Sequence, residues 1–251
     1  MNHIQHIEKQ LRGPTQNADF LARYIGARMP GQRSTGEQSR LIYWGHKVPV
    51  HRSVAKAKFP FSHLREEEQW EIWLSVWHGS KIYDVKSVAL HWLSEPKRKA
   101  FRLKRWRDLA AIAPSIDNWA HSDGLSSLLA EMLDERPQFF SQLKTWNKSK
   151  NPWLRRQSLV GIYCYARMRK NPQPAARALP LVKNLLHDPH FYVQRGVGWT
   201  LREIDRVDTV KQHAFVRKHV RDVNPIAWFA ASELYPVKLR KELVLLRRSK
   251  G

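Results

Sequence analysis

Apolar side chains along this chain recur at three- and four-residue steps. Trp70, Trp73, Leu74 and Trp77 share one helical face, in a segment that opens with Glu66, Glu67 and Glu68. Acidic residues in a first turn favour the positive end of a helix dipole, so the spacing predicts a helix beginning there. Leu125, Leu128, Leu129, Met132 and Leu133 repeat the pattern. So do Leu154, Leu159, Ile162 and Tyr163, and then Leu181, Val182, Leu185 and Leu186. Period-two alternation bounded by hairpin turns is nearly absent. The expectation is about a dozen helices and no sheet.

Punctuation between these segments shows a longer period. Pro114, Pro152, Pro189 and Pro225 lie 38, 37 and 36 residues apart. Three of them follow a capping residue, as Asn151-Pro152, Asp188-Pro189 and Asn224-Pro225. An Asn or Asp cap followed by Pro at the first helical position is a strong helix start. An earlier unit opens at Tyr83-Asp84-Val85-Lys86. A period in the high thirties with two helices per unit predicts an all-α, HEAT-like repeat solenoid. Such a solenoid curves, and a concave face lined with Lys and Arg would suit a duplex. The polar stretch from Gly31 to Arg40 reads as a loop, as does Asn171-Pro172-Gln173-Pro174. Neither resembles a domain linker. The expectation is one domain over 1–251: a helical pair at about 1–30, a loop at about 31–41 and repeats at about 42–247.

Charge narrows the choice of partner. The chain has 251 residues, with 44 Lys plus Arg against 22 Asp plus Glu, a net charge of +22. Such a surplus repels itself unless a polyanion shares the surface, and nucleic acid binds proteins chiefly through Lys and Arg on phosphates. Hydrophobic residues make up 42%, enough for a packed core rather than a disordered basic tail. A single cysteine, Cys164, excludes an internal disulfide and multi-cysteine metal sites. No apolar run reaches the length of a membrane helix, and the N-terminus has no apolar core of a secretory signal. The expected setting is the cytoplasm, in association with a bacterial nucleoid.

Several chemistries lack their motifs. There is no phosphate-cradling loop, no Gly-x-Gly-x-x-Gly and no His-Glu-x-x-His, and the histidines are scattered. Neither a metal nor a cofactor is expected. Lys97 to Arg107 carries seven basic residues and no acid, with Phe101, Leu103 and Trp106 interleaved. In a chain this basic the run reads as a phosphate-contacting face packed on the core.

The remaining motifs gain meaning together. Asp117-Asn118-Trp119-Ala120-His121-Ser122-Asp123 places Trp119 and Asp123 four apart, on one helix face. Asn151-Pro152-Trp153-Leu154-Arg155-Arg156 opens a repeat helix, and Gln194-Arg195-Gly196-Val197-Gly198-Trp199-Thr200-Leu201-Arg202-Glu203 follows. Singly, a Trp at helical spacing packs a core and an Asp caps a helix. Together with Tyr43-Trp44-Gly45-His46-Lys47-Val48-Pro49, leading to Arg52, and Ala22-Arg23-Tyr24, they resemble the AlkD-type DNA alkylation repair glycosylases. The resemblance runs from about residue 17 to 240. It implies a HEAT-like solenoid that holds duplex DNA and cleaves the N-glycosidic bond of cationic N3- and N7-alkylpurines. It places the catalytic carboxylate on Asp123, sugar-facing rings on Trp119 and Trp199, a phosphate contact on Arg156 and a groove aromatic on Tyr24. Lys47, Arg52, Arg155, Arg195 and Arg202 become candidate DNA contacts. The chain departs from the family's pattern at Asp117-Asn118, where an aromatic often precedes the key Trp, and in the polar loop before Leu41. The expected protein is a monomeric, monofunctional glycosylase acting on double-stranded DNA. The competing expectation is a non-catalytic HEAT-like protein binding branched or structured DNA.

Overall fold

The computed structural model describes residues 2–13, 15, 18–26, 39–164, 166 and 172–249. Fifteen α-helices and three short 3-10 turns account for the regular structure of the described residues, with a lone bridge between Ile42 and Ile82 in place of any strand. The chain divides into two compact units, Met1–Leu125 and Ser126–Gly251.

The first unit holds α1 (His3–Gln10), α2 (Ala18–Gly26), α3 (Val48–Ala55), α4 (Glu66–Gly79), α5 (Tyr83–Leu93), α6 (Lys99–Lys104), α7 (Trp106–Ile112) and the first turns of α8 (Trp119–Glu135). α4 begins where the three glutamates predict it, and Trp70, Trp73 and Trp77 are fully buried. Phe59, Phe61 and Trp92 close around Trp73 in stacked and edge-on contacts. The indole N–H groups of Trp70 and Trp77 donate to Asp108 and to the Ser115 hydroxyl, at 3.0 and 2.8 Å, so these two rings are buried with their donors satisfied, whereas Trp73 Nε1 is buried without a partner.

The second unit builds helix pairs, α9 (Phe140–Asn147) with α10 (Pro152–Tyr163) and α11 (Ala175–Asn184) with α12 (Phe191–Val207), and α13 (Thr209–His219) and α14 (Pro225–Ala231) each pack on α12. α15 (Val237–Arg248) follows. α10, α12 and α14 pack side by side, and α9, α11 and α13 form a second layer behind them. Within each unit, bonds that tie one helix to another recur at a spacing close to that of the prolines. Asn147 Nδ2 donates to the Leu181 carbonyl, Asn184 Nδ2 to Asn147 Oδ1, and Trp70 to Asp108, at separations of 34, 37 and 38 residues.

Two of the four prolines start helices as expected. Asn151 Oδ1 accepts from Trp153 N, Asn224 Oδ1 accepts from Ile226 N, and Pro152 and Pro225 are the first helical residues. Pro189 lies outside α12, which begins at Phe191. The Asp188 carboxylate is held by Arg155 and by the His190 amide, so it fixes the turn ahead of the helix. Pro114 sits in a 3-10 turn over Ala113–Ser115, and the helix after it starts only at Trp119. Residues 31–38 of the expected loop, and Asn171, lie outside the described residues.

The Lys97–Arg107 run is not one continuous phosphate-contacting face. It breaks into a 3-10 turn, α6 and the start of α7. Arg98 is buried, pairs with Glu95 and lies 3.8 Å from the Trp92 ring centroid. Arg102 is buried and donates to the Leu93 and Glu95 carbonyls. Arg105 pairs with Asp108 and Glu71. Three of the seven cations therefore hold the unit together, and Lys97, Lys99, Lys104 and Arg107 keep solvent exposure.

Candidate functional site

In the first unit the site is assembled on the opening turns of α8. Asn118 stands just before the helix, fully buried, and its Oδ1 accepts from His121 N at 2.9 Å. It thus supplies a side-chain cap where the aromatic of the family pattern is missing. His121 is locked from three sides. Its Nδ1 meets Asn118 Nδ2, its Nε2 meets the Ser87 hydroxyl, and its ring stacks on Tyr83 at 4.5 Å. Burial pushes the His121 imidazole down to about 3, helped by the nearby Lys86 charge, so it is neutral at physiological pH. Burial also pushes the Tyr83 phenol up to about 12.

The anchored turn presents Trp119 and Asp123, both half-buried, one turn apart. Trp119 Nε1 donates to the Tyr24 carbonyl at 2.9 Å, and the Tyr24 ring meets the indole edge-on, 5.4 Å between centroids. Phe20 stacks on Tyr24 in turn. Tyr24 is 42% exposed, so an aromatic surface remains open to a ligand beside Trp119. Asp117, one residue ahead of the cap, accepts from the Ser39 hydroxyl and the Arg40 amide and ties the incoming chain to this corner.

The Tyr43–Pro49 motif folds around a buried anion that the sequence did not reveal. Asp84 has no exposed surface. Its two oxygens accept from the Trp44 amide, the His46 amide and His51 Nε2, at 2.8, 2.9 and 2.9 Å. Burial alone would push this carboxyl up, but those three donors outweigh it and hold Asp84 below the usual carboxylate range. Gly45 lies between the two donating amides at φ +92°, in the left-handed region that favours glycine. The wrapped loop delivers Lys47 to the start of α3 and Arg52 to its last turn, both exposed.

In the second unit, α10 and α12 carry the basic residues. Arg156 is 5% exposed and donates from Nη1 to the Tyr192 carbonyl at 2.9 Å. Arg155 is a staple between the start of α10 and the turn before α12. It pairs with Asp188 at 2.5 Å and donates to the Ser149 and Lys150 carbonyls. Gln194 Nε2 faces the carbonyls of Leu185, Leu186 and Asp188 and closes the same turn. Arg195 is exposed, and Trp199 is half-buried with the Arg202 guanidinium 5.8 Å from its ring centroid. Arg202 also pairs with Glu203 and Glu233. Gly196 and Gly198 are packing glycines. A methyl at 198 would collide with the Ala227 backbone on α14, whereas one at 196 would only touch the side chains of Arg156 and Val160.

Tyr24, Trp119 and Asp123 therefore stand together in the first unit, and Arg155, Arg156, Arg195, Trp199 and Arg202 share two adjacent helices in the second. Among the described residues no group of three or more His, Cys, Asp or Glu side chains is placed to hold a metal ion. No helix among them is long and apolar enough to cross a membrane. Asp84, His51, His121 and Ser87 carry no recognisable spacing in the chain, because the bonds that join them to one another and to the Trp44–His46 loop span 33 to 40 residues.

All-helical, with helix pairs in layers, the protein has the HEAT-like helical solenoid fold of DNA alkylation repair proteins. The family model described as DNA alkylation repair enzyme matches residues 12–235, and the chain belongs to that family. A solved structure, a predicted DNA alkylation repair enzyme from Enterococcus faecalis, superposes with a TM-score of 0.63 at 14% identity, over 79% of this chain and 90% of that one. At that identity the likeness is one of fold. No curated protein gives a significant match.

Proposed function

We propose that the protein is a monofunctional DNA glycosylase that excises cationic N3- and N7-alkylated purines from duplex DNA, the first step of base excision repair. The observation that carries the proposal is the α8 turn, on which a half-buried carboxylate, Asp123, follows one turn after an indole that Tyr24 flanks. Membership of an alkylation repair family supports it.

The chemistry needs little more. An alkylated purine is already cationic, so it leaves C1′ without a general acid. The electrons of the broken C1′–N9 bond return to the purine and neutralise it, and the sugar becomes oxocarbenium-like. Asp123 stabilises that developing charge and orients the water whose oxygen bonds to C1′. The water's surplus proton passes to the carboxylate and on to solvent. The ring of Trp119 binds the cationic sugar through its face, and Trp199 is the second unit's candidate for a sugar contact. Lys47, Arg52, Arg156 and Arg195 contact phosphates, and Tyr24 lies against the backbone. Arg155 and Arg202 act at the same surface through the N–H groups that their carboxylate partners leave over. The reaction ends at base release, without a Schiff base or strand cleavage. A neutral base leaves far more slowly, so the lesion selects itself. The protein acts as a monomer.

The test is release of methylated purines from methylated duplex DNA. The wild type is expected to release them, and Asp123→Asn to lower the rate at least about 10²-fold while duplex affinity is retained. A wild-type protein that binds duplex but releases no base would overturn the enzyme reading and leave the DNA-binding one.

A further inference from the structure

A cavity of the second unit is lined by none of the residues assigned to DNA. It has a volume of about 1020 Å³ and is walled by α9 and α11, the layer behind α10 and α12. Lys144, Lys148 and Arg177 stand around it, and no Asp or Glu lines it among the described residues. Its floor is apolar: Leu154, Leu181, Pro180 and the edge of Phe140. Three cations over an apolar floor, with no carboxylate to answer them, leave an electrostatic complement to be supplied from outside.

The helix itself is shaped for access. Pro180 sits inside α11, where proline has no N–H to donate and crowds the preceding turn. The lost donor is the one the Ala176 carbonyl would receive, and both Ala176 and Pro180 line the cavity.

The rings rule out a strand of bases. Phe140 and Trp146 are 4% and 5% exposed, and the Phe140 ring already lies under Arg177 at 4.2 Å and Lys144 at 5.8 Å. No aromatic face is open for a base to stack on, and an apolar floor does nothing for a phosphate chain. We infer that this cavity is a docking site for an acidic peptide segment of another protein, whose apolar side chains fill the floor while its carboxylates meet Lys144, Lys148 and Arg177. DNA and such a partner would then bind different helix layers of one unit.

The test uses a fluorescein-labelled dodecapeptide of alternating Asp and Leu, followed by anisotropy. Wild-type protein is expected to bind it saturably. Lys144→Glu with Lys148→Glu should weaken binding at least about tenfold. A control with the same charge change at exposed sites elsewhere, Lys58→Glu with Lys238→Glu, should cost under about threefold, because distant surface charges are screened. All four lysines are exposed, so both proteins should keep the wild-type melting temperature and duplex affinity. No saturable binding by the wild type, or equal losses in the two variants, would overturn the assignment. So would displacement of the peptide by a twelve-residue oligothymidylate, which would make the cavity a nucleic-acid site.

Discussion

Histidine protonation gives a residue-scale handle on the corner that holds Trp119 and Asp123. His121 is pushed down to about 3 and His91 to about 4, in both cases chiefly by burial. Unfolded, each titrates near 6.5. Between about pH 6.5 and 4 the unfolded chain therefore holds protons that the folded chain refuses, and stability must fall as the pH falls. The slope is about 1.4 kcal/mol per pH unit for each histidine once the unfolded form is protonated. Urea midpoints measured from pH 7 to 4 should show this decline, and His91→Gln should remove about half of the part owed to the pair. A variant with the wild-type slope would show that His91 charges freely in the folded state. Asp84 has the opposite ordering with the same outcome. Its carboxyl lies below the usual range, so its contribution is complete above about pH 4 and is lost as the pH falls through the lowered folded value.

At the scale of elements, Gly198 sets how closely α12 approaches α14. Its missing Cβ would overlap the Ala227 carbonyl and α-carbon, which are backbone and cannot step aside. Gly198→Ala should therefore cost about 1–3 kcal/mol or more through overpacking, despite alanine's better helix propensity. Gly196→Ala meets only side-chain atoms at 3.4 Å or more, so propensity offsets it and the change is close to neutral. Thermal melts of the pair should separate by several degrees; coincident melts would mean the helices slide apart at little cost. The same elements show what was legible in the chain. The starts at Pro152 and Pro225 were readable because cap and proline act within two residues. Pro189 was not, because Arg155 claims Asp188 from 33 residues away. The basic run at Lys97–Arg107 misled for the same reason: Trp92 and the carbonyls of Leu93 and Glu95, which turn Arg98 and Arg102 inward, leave no periodic mark. Trp119 and Asp123 were legible as a pair because helical spacing is local. The cradle that wraps Tyr43–Pro49 around Asp84 was not.

For the molecule as a whole, the surplus of +22 has to be read after internal pairing. Arg98, Arg105, Arg155, Arg202 and Arg217 each have carboxylate partners, and Arg102 serves backbone carbonyls. On the proposed function, the cations expected to meet DNA are those without such partners, and each phosphate neutralised contributes about −0.9 to the slope of log affinity against log salt. Exposed Lys47, Arg52 and Arg195 should each lower the steepness of that slope by about 0.9 when changed to alanine, with similar losses on any duplex sequence. Arg155→Ala should change the slope less, since Asp188 already neutralises that guanidinium, and should instead lower the melting temperature by releasing the staple and leaving Asp188 unpaired. Fluorescence titrations of one duplex between about 50 and 200 mM salt would separate the two behaviours, a range over which several phosphate contacts produce orders of magnitude in affinity. A full slope loss in Arg155→Ala with an unchanged melting temperature would show that its pairing with Asp188 gives way to phosphate when DNA binds. Unchanged slopes in all of the exposed-cation variants would remove Lys47, Arg52 and Arg195 from the DNA contact set.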